Sequence, residues 1–318
     1  MGVYTKIQDD ELTTFVKGFN IGEVLSYQGI SEGIDNTNYV LKTTHGKFIL
    51  TLFEHRINKA DIPFFLNLMK YLERKEFPCP GPVANRSGNF LHKLSGRPAT
   101  LVKFASGISN LAPTPSLCNA LGVAAATLHK TMKDFHPQRA NDLSIDHLRK
   151  MFSDLGKRPD KIKTGLSSLV NSELTVLEER WPNDLPSGII HGDLFPDNVF
   201  FKNNRVSGII DFYFSCNDSL IFDLAVCINA WCFDNGKFTP ERASHLIRGY
   251  QTIRKLTKKE RDSIAIVGRG AALRFMITRI RDWFNTPDQA MLQRKSPLEL
   301  IPIIRFHQTV SDSNIYGL

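Results

Sequence analysis

No stretch of this sequence is apolar enough to cross a membrane. The longest candidate, Val123 to Leu128, is far shorter than the roughly 20 residues that a membrane-spanning helix needs. No signal peptide is visible, because residues 1–12 are polar and acidic, and Lys6 interrupts the myristoylation pattern that Gly2 begins. We therefore expect a cytoplasmic protein that does not bind membranes.

Cysteine is scarce, and its spacing is not that of a metal site. The 318 residues include five cysteines, an odd number, and no two of them are spaced as C-x-x-C or accompanied by histidines at zinc-finger spacing. This pattern argues against a disulfide framework and a zinc finger, and it favours reduced thiols that pack inside the protein. The five are Cys79, Cys118, Cys216, Cys227 and Cys232.

Long blocks of one charge sign are also missing. The 40 Lys and Arg residues outnumber the 32 Asp and Glu residues, which gives a formal net charge of +8. A positive balance suits either a nucleic acid or a nucleoside triphosphate, because both are anionic. The basic residues are dispersed, however, and do not alternate with aromatic residues as they do along a nucleic-acid groove. We therefore predict no nucleic-acid partner.

The apolar pattern divides the chain into two parts. Up to about residue 104 it predicts antiparallel strands with one helix that starts near Asp61. Beyond Pro115 the periodicity is mainly helical. A chain of 318 residues also exceeds the size that one hydrophobic core usually serves. We predict an α+β protein with a small β-rich lobe, residues 1–107, and a larger helical lobe, residues 108–318.

One segment carries four polar side chains at fixed offsets, and three of the four bear oxygen atoms. His191, Asp193 and Asn198 form the pattern H-x-D-x-x-x-x-N, and Asp211 follows the next apolar run. The apolar runs on either side predict a strand, a loop and a hairpin, which would place these side chains at one edge. A single Asp or Asn near a turn is commonly a turn former, but four polar residues at fixed offsets favour a functional site.

This set of residues fits phosphoryl transfer. The reaction needs a base that accepts the proton of a hydroxyl group and a metal that neutralises the phosphate charge. We predict Asp193 as the base. Asn198 and Asp211 are the predicted Mg²⁺ ligands, because Mg²⁺ prefers oxygen donors. For His191 we favour a structural role, as a satisfied core histidine, over a part in proton transfer.

A glycine-bearing loop between the first two predicted strands is a candidate nucleotide site. Backbone N–H groups in such a loop can face the phosphates of ATP. We nominate Ser31, Gly33 and Asn38 as its binding residues. An ordinary hairpin loop is an equally good interpretation when this loop is considered alone.

The basic residue that usually contacts the nucleotide phosphates is absent from its expected strand. Thr51 stands at that position, and Phe65 or a neighbour stands where the partner Glu of the following helix is expected. Loss of both leaves no buried charge unpaired, so the double absence is physically coherent. Lys42 and Arg56 are the candidates for a replacement cation.

Together these residues resemble the aminoglycoside and choline kinase superfamily. Its catalytic loop is matched by His191, Asp193 and Asn198. Several other stretches are similar to its homoserine kinase branch, namely residues 31–39, 63–66, 211–214, 229–233 and 272–275. The resemblance covers nearly the whole chain. It implies a two-lobed protein-kinase-like fold and the use of ATP and Mg²⁺ to phosphorylate the hydroxyl group of L-homoserine, a step in threonine biosynthesis.

The implied substrate carries a carboxylate and an ammonium group, so its pocket needs a cation and an anion. Arg274 is the predicted carboxylate ligand, because its apolar neighbours would deprive a free guanidinium of water. A solvated helix face is the alternative interpretation. Asp218 and Asp223 are the predicted ammonium ligands, although Asp223 could instead cap a helix that begins at Leu224.

Two other functions fit part of the sequence. A kinase of the same superfamily could act on another small alcohol, such as an aminoglycoside, choline or a methylthio-sugar. A non-catalytic nucleotide- or RNA-binding protein would explain the missing basic residue and the positive charge, but it would not need Asp193, Asn198 and Asp211 together. The sequence leaves open the oligomeric state, feedback regulation and the choice of ATP over GTP.

Overall fold

The structure is a computed structural model, and it describes residues 4–30, 36–54, 57–109, 112–285 and 295–318. These residues divide into two compact units. The first holds the described residues up to Gly107 together with Ser207–Tyr213. The second holds the described residues from Ile108 to Val206 and from Phe214 onward. Ser207–Tyr213 therefore belongs to the first unit, although it lies beyond the boundary that we predicted at residue 107.

An antiparallel sheet of five strands forms the centre of the first unit, in the order β1-β2-β3-β5-β4. The strands are β1 (Val24–Gly29), β2 (Asn36–Thr43), β3 (Gly46–Phe53), β4 (His92–Leu94) and β5 (Arg97–Lys103). Because side chains alternate along a strand, one face is continuously apolar. Leu41, Leu50 and Leu101 lie buried on this face and cluster with Leu12 of helix α1 (Asp9–Val16).

Helix α2 (Ile62–Arg74) completes the first unit and begins with Pro63 in its first turn. Proline suits this position because the first N–H groups of a helix need no partner within the helix. Ile62 and Leu66 cluster with Phe53 at the end of β3. Apolar residues at spacings of three and four thus bury one face of α2, as the sequence pattern predicts.

The segment Ser207–Tyr213 is attached to the first unit by backbone and side-chain contacts. The N–H of Ile209 donates to the carbonyl oxygen of Pro78 over 2.7 Å. The ring of Tyr213 lies with its centroid 5.2 Å from that of Phe53, in an edge-to-face arrangement. Burial raises the pKa of the Tyr213 phenol well above its usual value. These contacts fix the position of Asp211 relative to the sheet of the first unit.

The second unit is mainly helical. Its centre is the long helix α8 (Lys258–Asn285), whose buried residues Ala272, Met276 and Ile280 pack in one core with residues of α4 (Ile145–Ser153), α5 (Leu166–Arg180) and α9 (Leu300–Thr309). The helices of this unit are α3 (Pro115–Thr131), α4 (Ile145–Ser153), α5 (Leu166–Arg180), α6 (Leu220–Trp231), α7 (Pro240–Ile253), α8 (Lys258–Asn285) and α9 (Leu300–Thr309).

Short strands flank the region that carries the predicted catalytic residues. They are β6 (Ser187–Ile190), β7 (Val199–Lys202), β8 (Arg205–Ile209), β9 (Cys216–Ser219), β10 (Phe233–Asp234) and β11 (Lys237–Phe238). The sequence predicted β6, β7 and β8. It did not predict that β9 pairs with β6, in a register that places Gly188 opposite Asp218.

The predicted fold class is confirmed: an antiparallel sheet precedes a mainly helical region. The five cysteines are all buried and free, as expected for packing thiols. Among the described residues, no helix combines the length and the apolar character that a membrane span requires.

Candidate active site

The predicted catalytic loop follows β6 and turns sharply at Gly192. This glycine has a φ of +78°, a left-handed conformation that residues with a side chain rarely adopt. A Cβ atom at this position would also lie 3.2 Å from the carbonyl oxygen of Phe214. Further along, the N–H of Asn198 donates to the carbonyl oxygen of Phe195 over 3.0 Å and closes a short 3₁₀ turn. The loop therefore has a defined shape with few conformational alternatives.

Asp193 and Asn198 are in direct contact. The side-chain amide of Asn198 donates to the carbonyl oxygen and to Oδ2 of Asp193, each over 2.9 Å. Because both hydrogen bonds use the amide nitrogen, the amide oxygen of Asn198 is the atom left for a metal. Oxygen donors of this kind fit Mg²⁺. The site can thus combine a base at Asp193 with a metal ligand at Asn198.

His191 is fully buried beneath the loop. Its Nδ1 accepts a hydrogen bond from the N–H of Asp193 over 3.1 Å. The imidazole therefore orients the backbone that carries Asp193, and this contact fits the structural role that we predicted for His191.

Asp211 follows β8 and lies in the first unit, whereas Asp193 and Asn198 lie in the second. Its φ of +64° is uncommon for a residue with a side chain. Such backbone strain is concentrated at functional sites because the surrounding structure must hold it in place. The assignment of Asp211 as a metal ligand that acts with Asn198 stays a prediction.

Helix α6 anchors the catalytic loop through Asp223. The carboxylate accepts hydrogen bonds from the N–H of His191 over 2.8 Å and from the N–H of Gly192 over 2.7 Å. It also lies 2.9 Å from Nε2 of His129. On the same helix, Nε1 of Trp231 donates to the carbonyl oxygen of Leu194 over 2.8 Å. One helix therefore holds both ends of the Gly192 turn.

These contacts correct our assignment of Asp223 as a substrate ligand. The residue is fully buried, and both its oxygens already accept hydrogen bonds, so a substrate ammonium group has no access to it. It does not cap a helix that begins at Leu224 either, because α6 begins at Leu220. Burial would raise the pKa of Asp223, but the hydrogen bonds that its carboxylate accepts from His129 and from the backbone of His191 outweigh this effect and lower it. The anchor therefore stays ionised.

Arg274 of α8 is buried among aromatic rings, with only 4% of its surface exposed. Its guanidinium carbon lies 4.8 Å from the ring centroid of Phe275, 5.3 Å from that of Phe214 and 5.7 Å from that of Phe222. Its Nη1 donates to the carbonyl oxygen of Gly192. Among the described residues, Nε of Arg274 has no hydrogen-bond partner.

The environment of Arg274 favours an additional anion. Burial lowers the pKa of the guanidinium, and the negative charge of Asp193 acts in the opposite direction. A buried cation with an unused donor is costly unless a partner satisfies it. The predicted role of Arg274 as a carboxylate ligand is consistent with this environment.

A cavity of about 240 Å³ adjoins Arg274 within the second unit. Asp218 of β9 lies at this cavity and provides a charge opposite to that of Arg274. Oδ2 of Asp218 accepts a hydrogen bond from the side-chain amide of Asn141 over 2.5 Å, which orients the carboxylate. Trp181 provides an apolar wall and packs directly on the backbone of Gly270, where a Cβ atom would lie 2.3 Å from its ring.

The predicted nucleotide residues are only partly described. Ser31 and Gly33, and the candidate cation Arg56, lie outside the described residues. Asn38 lies on β2, where its Oδ1 accepts a hydrogen bond from Oγ1 of the buried Thr51 over 2.8 Å. The strand position expected to hold a basic residue is therefore occupied by a neutral side chain with a neutral partner.

Sequence reasoning missed three residues of this region. Asn141 and Trp181 line the cavity, but neither belongs to a recognisable motif. His129 ends the segment Leu121–His129, whose sequence does not indicate what the histidine contacts. Its partner Asp223 is 94 residues away along the chain.

Sequence comparison identifies the family. The profile of the phosphotransferase enzyme family matches residues 26–258. The chain belongs to this family. The kinase relatives of this family imply the use of ATP and typically of a divalent metal.

Full-length relatives of this phosphotransferase are named homoserine kinase. The one from Rhodospirillum rubrum is 47% identical over 319 aligned positions, which cover 100% of this chain and 99% of the relative. The one from Rhizobium meliloti is 44% identical and is covered over 98% of its length. These matches confirm the resemblance derived from the motifs.

Solved structures with low sequence identity share the fold of this phosphotransferase. The choline kinase LicA from Streptococcus pneumoniae superposes with a TM-score of 0.69 at 18% identity, covering 95% of this chain and 99% of that one. A spectinomycin phosphotransferase, APH(9)-Ia, superposes with a TM-score of 0.67 at 14% identity, covering 98% and 97%. Both similarities concern the fold, and they confirm the predicted protein-kinase-like class.

Proposed function

We propose that this phosphotransferase transfers the γ-phosphoryl group of ATP to the side-chain hydroxyl of L-homoserine. The products are O-phospho-L-homoserine and ADP. The full-length relatives named homoserine kinase support this substrate. The observation that carries the proposal is the pairing of Arg274 and Asp218 at one cavity, because their opposite charges match the two charged groups of an amino acid.

Arg274 binds the carboxylate of homoserine in this proposal. Its Nε is buried without a partner among the described residues, and a carboxylate oxygen would accept a hydrogen bond from it. Asp218 binds the ammonium group, and the amide of Asn141 keeps its carboxylate in place. Since Arg274 also donates to Gly192, the bound amino acid would be connected directly to the catalytic loop.

The size of the cavity supports a small substrate over an aminoglycoside. Pockets for drug-sized ligands usually span roughly 300–1,000 Å³. The cavity at Arg274 is smaller, at about 240 Å³. Choline is small enough, but it has no carboxylate and would leave the buried Arg274 without its anion. An amino-acid alcohol satisfies both criteria.

Asp193 acts as the base in the proposed reaction. It accepts the proton of the homoserine hydroxyl while the hydroxyl oxygen bonds to the γ-phosphorus, and the bond from this phosphorus to the bridging oxygen of ADP breaks. Asn198 and His191 fix the orientation of Asp193 through the contacts described above. We propose Mg²⁺ as the divalent metal; the amide oxygen of Asn198 would be one of its ligands, and the metal would neutralise charge on the phosphates.

A substrate panel tests the proposed function. The purified protein is incubated with ATP and Mg²⁺ and with L-homoserine, choline or an aminoglycoside, and ADP release is measured. We expect turnover with L-homoserine and a product that phosphorus NMR identifies as a phosphate ester of its hydroxyl. ADP release with another alcohol but not with L-homoserine would replace the proposed substrate. A cytoplasmic role in threonine biosynthesis is part of the same proposal.

A further inference from the structure

A chain of hydrogen bonds runs from the catalytic loop into the helical core, away from the substrate cavity. It starts at Asp223, which lies 2.9 Å from Nε2 of His129. Nδ1 of His129 lies 2.8 Å from the hydroxyl oxygen of Tyr250, and that oxygen accepts a hydrogen bond from Nη1 of Arg254 over 3.2 Å. Arg254 forms an ion pair with Glu260 over 2.8 Å.

From Arg254 to Asp223, these hydrogen bonds fit a single arrangement of hydrogens. Arg254 can only donate, so the oxygen of Tyr250 accepts from it and its hydroxyl hydrogen points to His129. Nδ1 of His129 then accepts, and the hydrogen on Nε2 is donated to Asp223. A neutral histidine in this one tautomer links a tyrosine on α7 to a carboxylate on α6. A buried hydrogen-bond network of this kind is stiff, because a change in one bond leaves a buried group unpaired.

Four residues of this hydrogen-bond chain are deeply buried, and Arg254 is partly buried. Asp223, Tyr250 and Glu260 are fully inaccessible, and His129 is 5% exposed. A buried polar group that loses its partner costs the full free energy of removing that group from water. The hydrogen bonds therefore hold these residues in one relative position.

The two helices that carry His129 and Tyr250, α3 and α7, are in close backbone contact. Gly122 of α3 lies against α7 so closely that a Cβ atom would stand 2.0 Å from the carbonyl oxygen of Leu246. Gly249 of α7 lies equally close to α3, with a Cβ atom at 2.1 Å from the carbonyl oxygen of Asn119. Backbone contact at two glycines leaves little freedom for His129 to move relative to Tyr250.

We propose that His129 and Tyr250 are positioning residues for phosphoryl transfer. They hold the carboxylate of Asp223, and Asp223 in turn holds the N–H groups of His191 and Gly192, next to the base Asp193. Neither residue lines the substrate cavity. The inference rests on the proposed function, since it assigns the two residues a part in the same reaction.

A matched pair of tyrosine substitutions tests this proposal. Tyr250→Phe removes the hydroxyl that binds His129. Tyr316→Phe removes another fully buried hydroxyl, which lies 2.6 Å from Nδ1 of His307 and is not part of the chain that reaches Asp223. Both variants lose one buried hydrogen bond to a histidine, and Tyr250→Phe also loses the acceptor of Arg254. Thermal unfolding should therefore show a loss of stability in both variants, at least as large in Tyr250→Phe as in Tyr316→Phe.

Only Tyr250→Phe should impair the reaction. We expect kcat to fall about tenfold in this variant, with the KM values for ATP and homoserine little changed, because the defect is in the position of the base. Tyr316→Phe should keep the kcat of the unmodified protein. Equal kcat losses in the two variants, or no loss in Tyr250→Phe, would overturn the proposal.

Substitution of His129 adds a second readout. His129→Gln keeps a side-chain N–H for Asp223, whereas His129→Ala removes it, so we expect His129→Gln to recover part of the kcat that His129→Ala loses. Hydrogen exchange of the loop amides, measured without substrate, should be faster in Tyr250→Phe and His129→Ala than in Tyr316→Phe. Unchanged hydrogen exchange of the loop amides in both Tyr250→Phe and His129→Ala would overturn the positioning role. A panel without homoserine turnover but with faster exchange would instead reject the proposed substrate.

Discussion

Arg274 and Gly192 are joined by a hydrogen bond from the guanidinium Nη1 to the carbonyl oxygen, although 82 residues separate them along the chain. Arg274 lines the cavity, and Gly192 precedes the predicted base Asp193. The residue proposed to bind the substrate carboxylate is therefore in direct contact with the catalytic loop. Substrate binding and the position of the loop should depend on each other.

Arg274→Ala should impair both substrate binding and turnover. Loss of a charge-assisted hydrogen bond to the carboxylate is expected to raise the KM for homoserine about 10- to 100-fold. Loss of the contact with Gly192 should also lower kcat, while the KM for ATP stays the same. Arg281→Ala, seven residues further along α8 where the arginine pairs with Asp282, serves as the control and should change none of these values. A rise confined to the KM for ATP would contradict the assignment.

Asp193→Asn should abolish most of the activity without unfolding the protein. The amide has the size of the carboxylate but cannot accept the hydroxyl proton, and a general base typically contributes about 10²- to 10⁴-fold. Steady-state kinetics should therefore show this loss in kcat, with a thermal unfolding temperature close to that of the unmodified protein. Near-normal turnover would mean that another group is the base.

Asp218→Asn and Asp223→Asn should behave differently, although both exchange a carboxylate for an amide. Asp218 lines the cavity, so its variant should raise the KM for homoserine and regain activity at high homoserine concentration. Asp223→Asn places an amide NH₂ against the N–H groups of the loop and leaves buried donors unpaired, so about 3 kcal/mol of stability should be lost. A high homoserine concentration should not restore the activity of Asp223→Asn. Denaturant titrations and kinetics at varied homoserine separate the two cases.

Stability should decrease in mild acid because of His307. Burial, with a smaller effect of the Arg269 charge, lowers the pKa of His307 to about 3. An unfolded chain binds this proton near its ordinary pKa of about 6.5, so the unfolded state binds more protons between these values. The free energy of unfolding should then fall with decreasing pH by up to about 1.4 kcal/mol per pH unit from this group.

The test of His307 compares how steeply the free energy of unfolding changes with pH in two proteins. Denaturant unfolding of the unmodified protein and of His307→Gln is followed between about pH 7 and pH 5. The variant should be less stable at neutral pH, since His307 binds Tyr316 and Asn229. Its stability should nevertheless depend less on pH. Parallel curves would show that His307 does not titrate as stated.

The catalytic loop could be predicted from the sequence because its contacts are local. Asn198 binds Asp193 five residues away, and Asp193 binds His191 two residues away. Short-range hydrogen bonds of this kind are set by the order of residues along a few turns. The apolar periodicity likewise predicted the strands β1 to β3 and the helices α2 and α3, because each repeats its pattern over at least six residues.

The strand β9 and the role of Asp223 could not be predicted in this way. Strand β9 has four residues, Cys216–Ser219, and no alternation of apolar and polar side chains that would indicate a strand. It is formed by pairing with β6, more than 20 residues earlier in the chain. An acidic residue that faces a cavity and one that binds backbone N–H groups look alike in a sequence.

The sequence by itself determined the family, the fold class and the spacing of His191, Asp193 and Asn198, because these depend on local patterns. Tertiary structure decided which acidic residue faces the cavity, Asp218, and which one anchors the loop, Asp223. The physical reason is that the role of a carboxylate depends on the hydrogen-bond donors that surround it. Those donors come from helices and strands that are distant in the chain and meet only when the core packs.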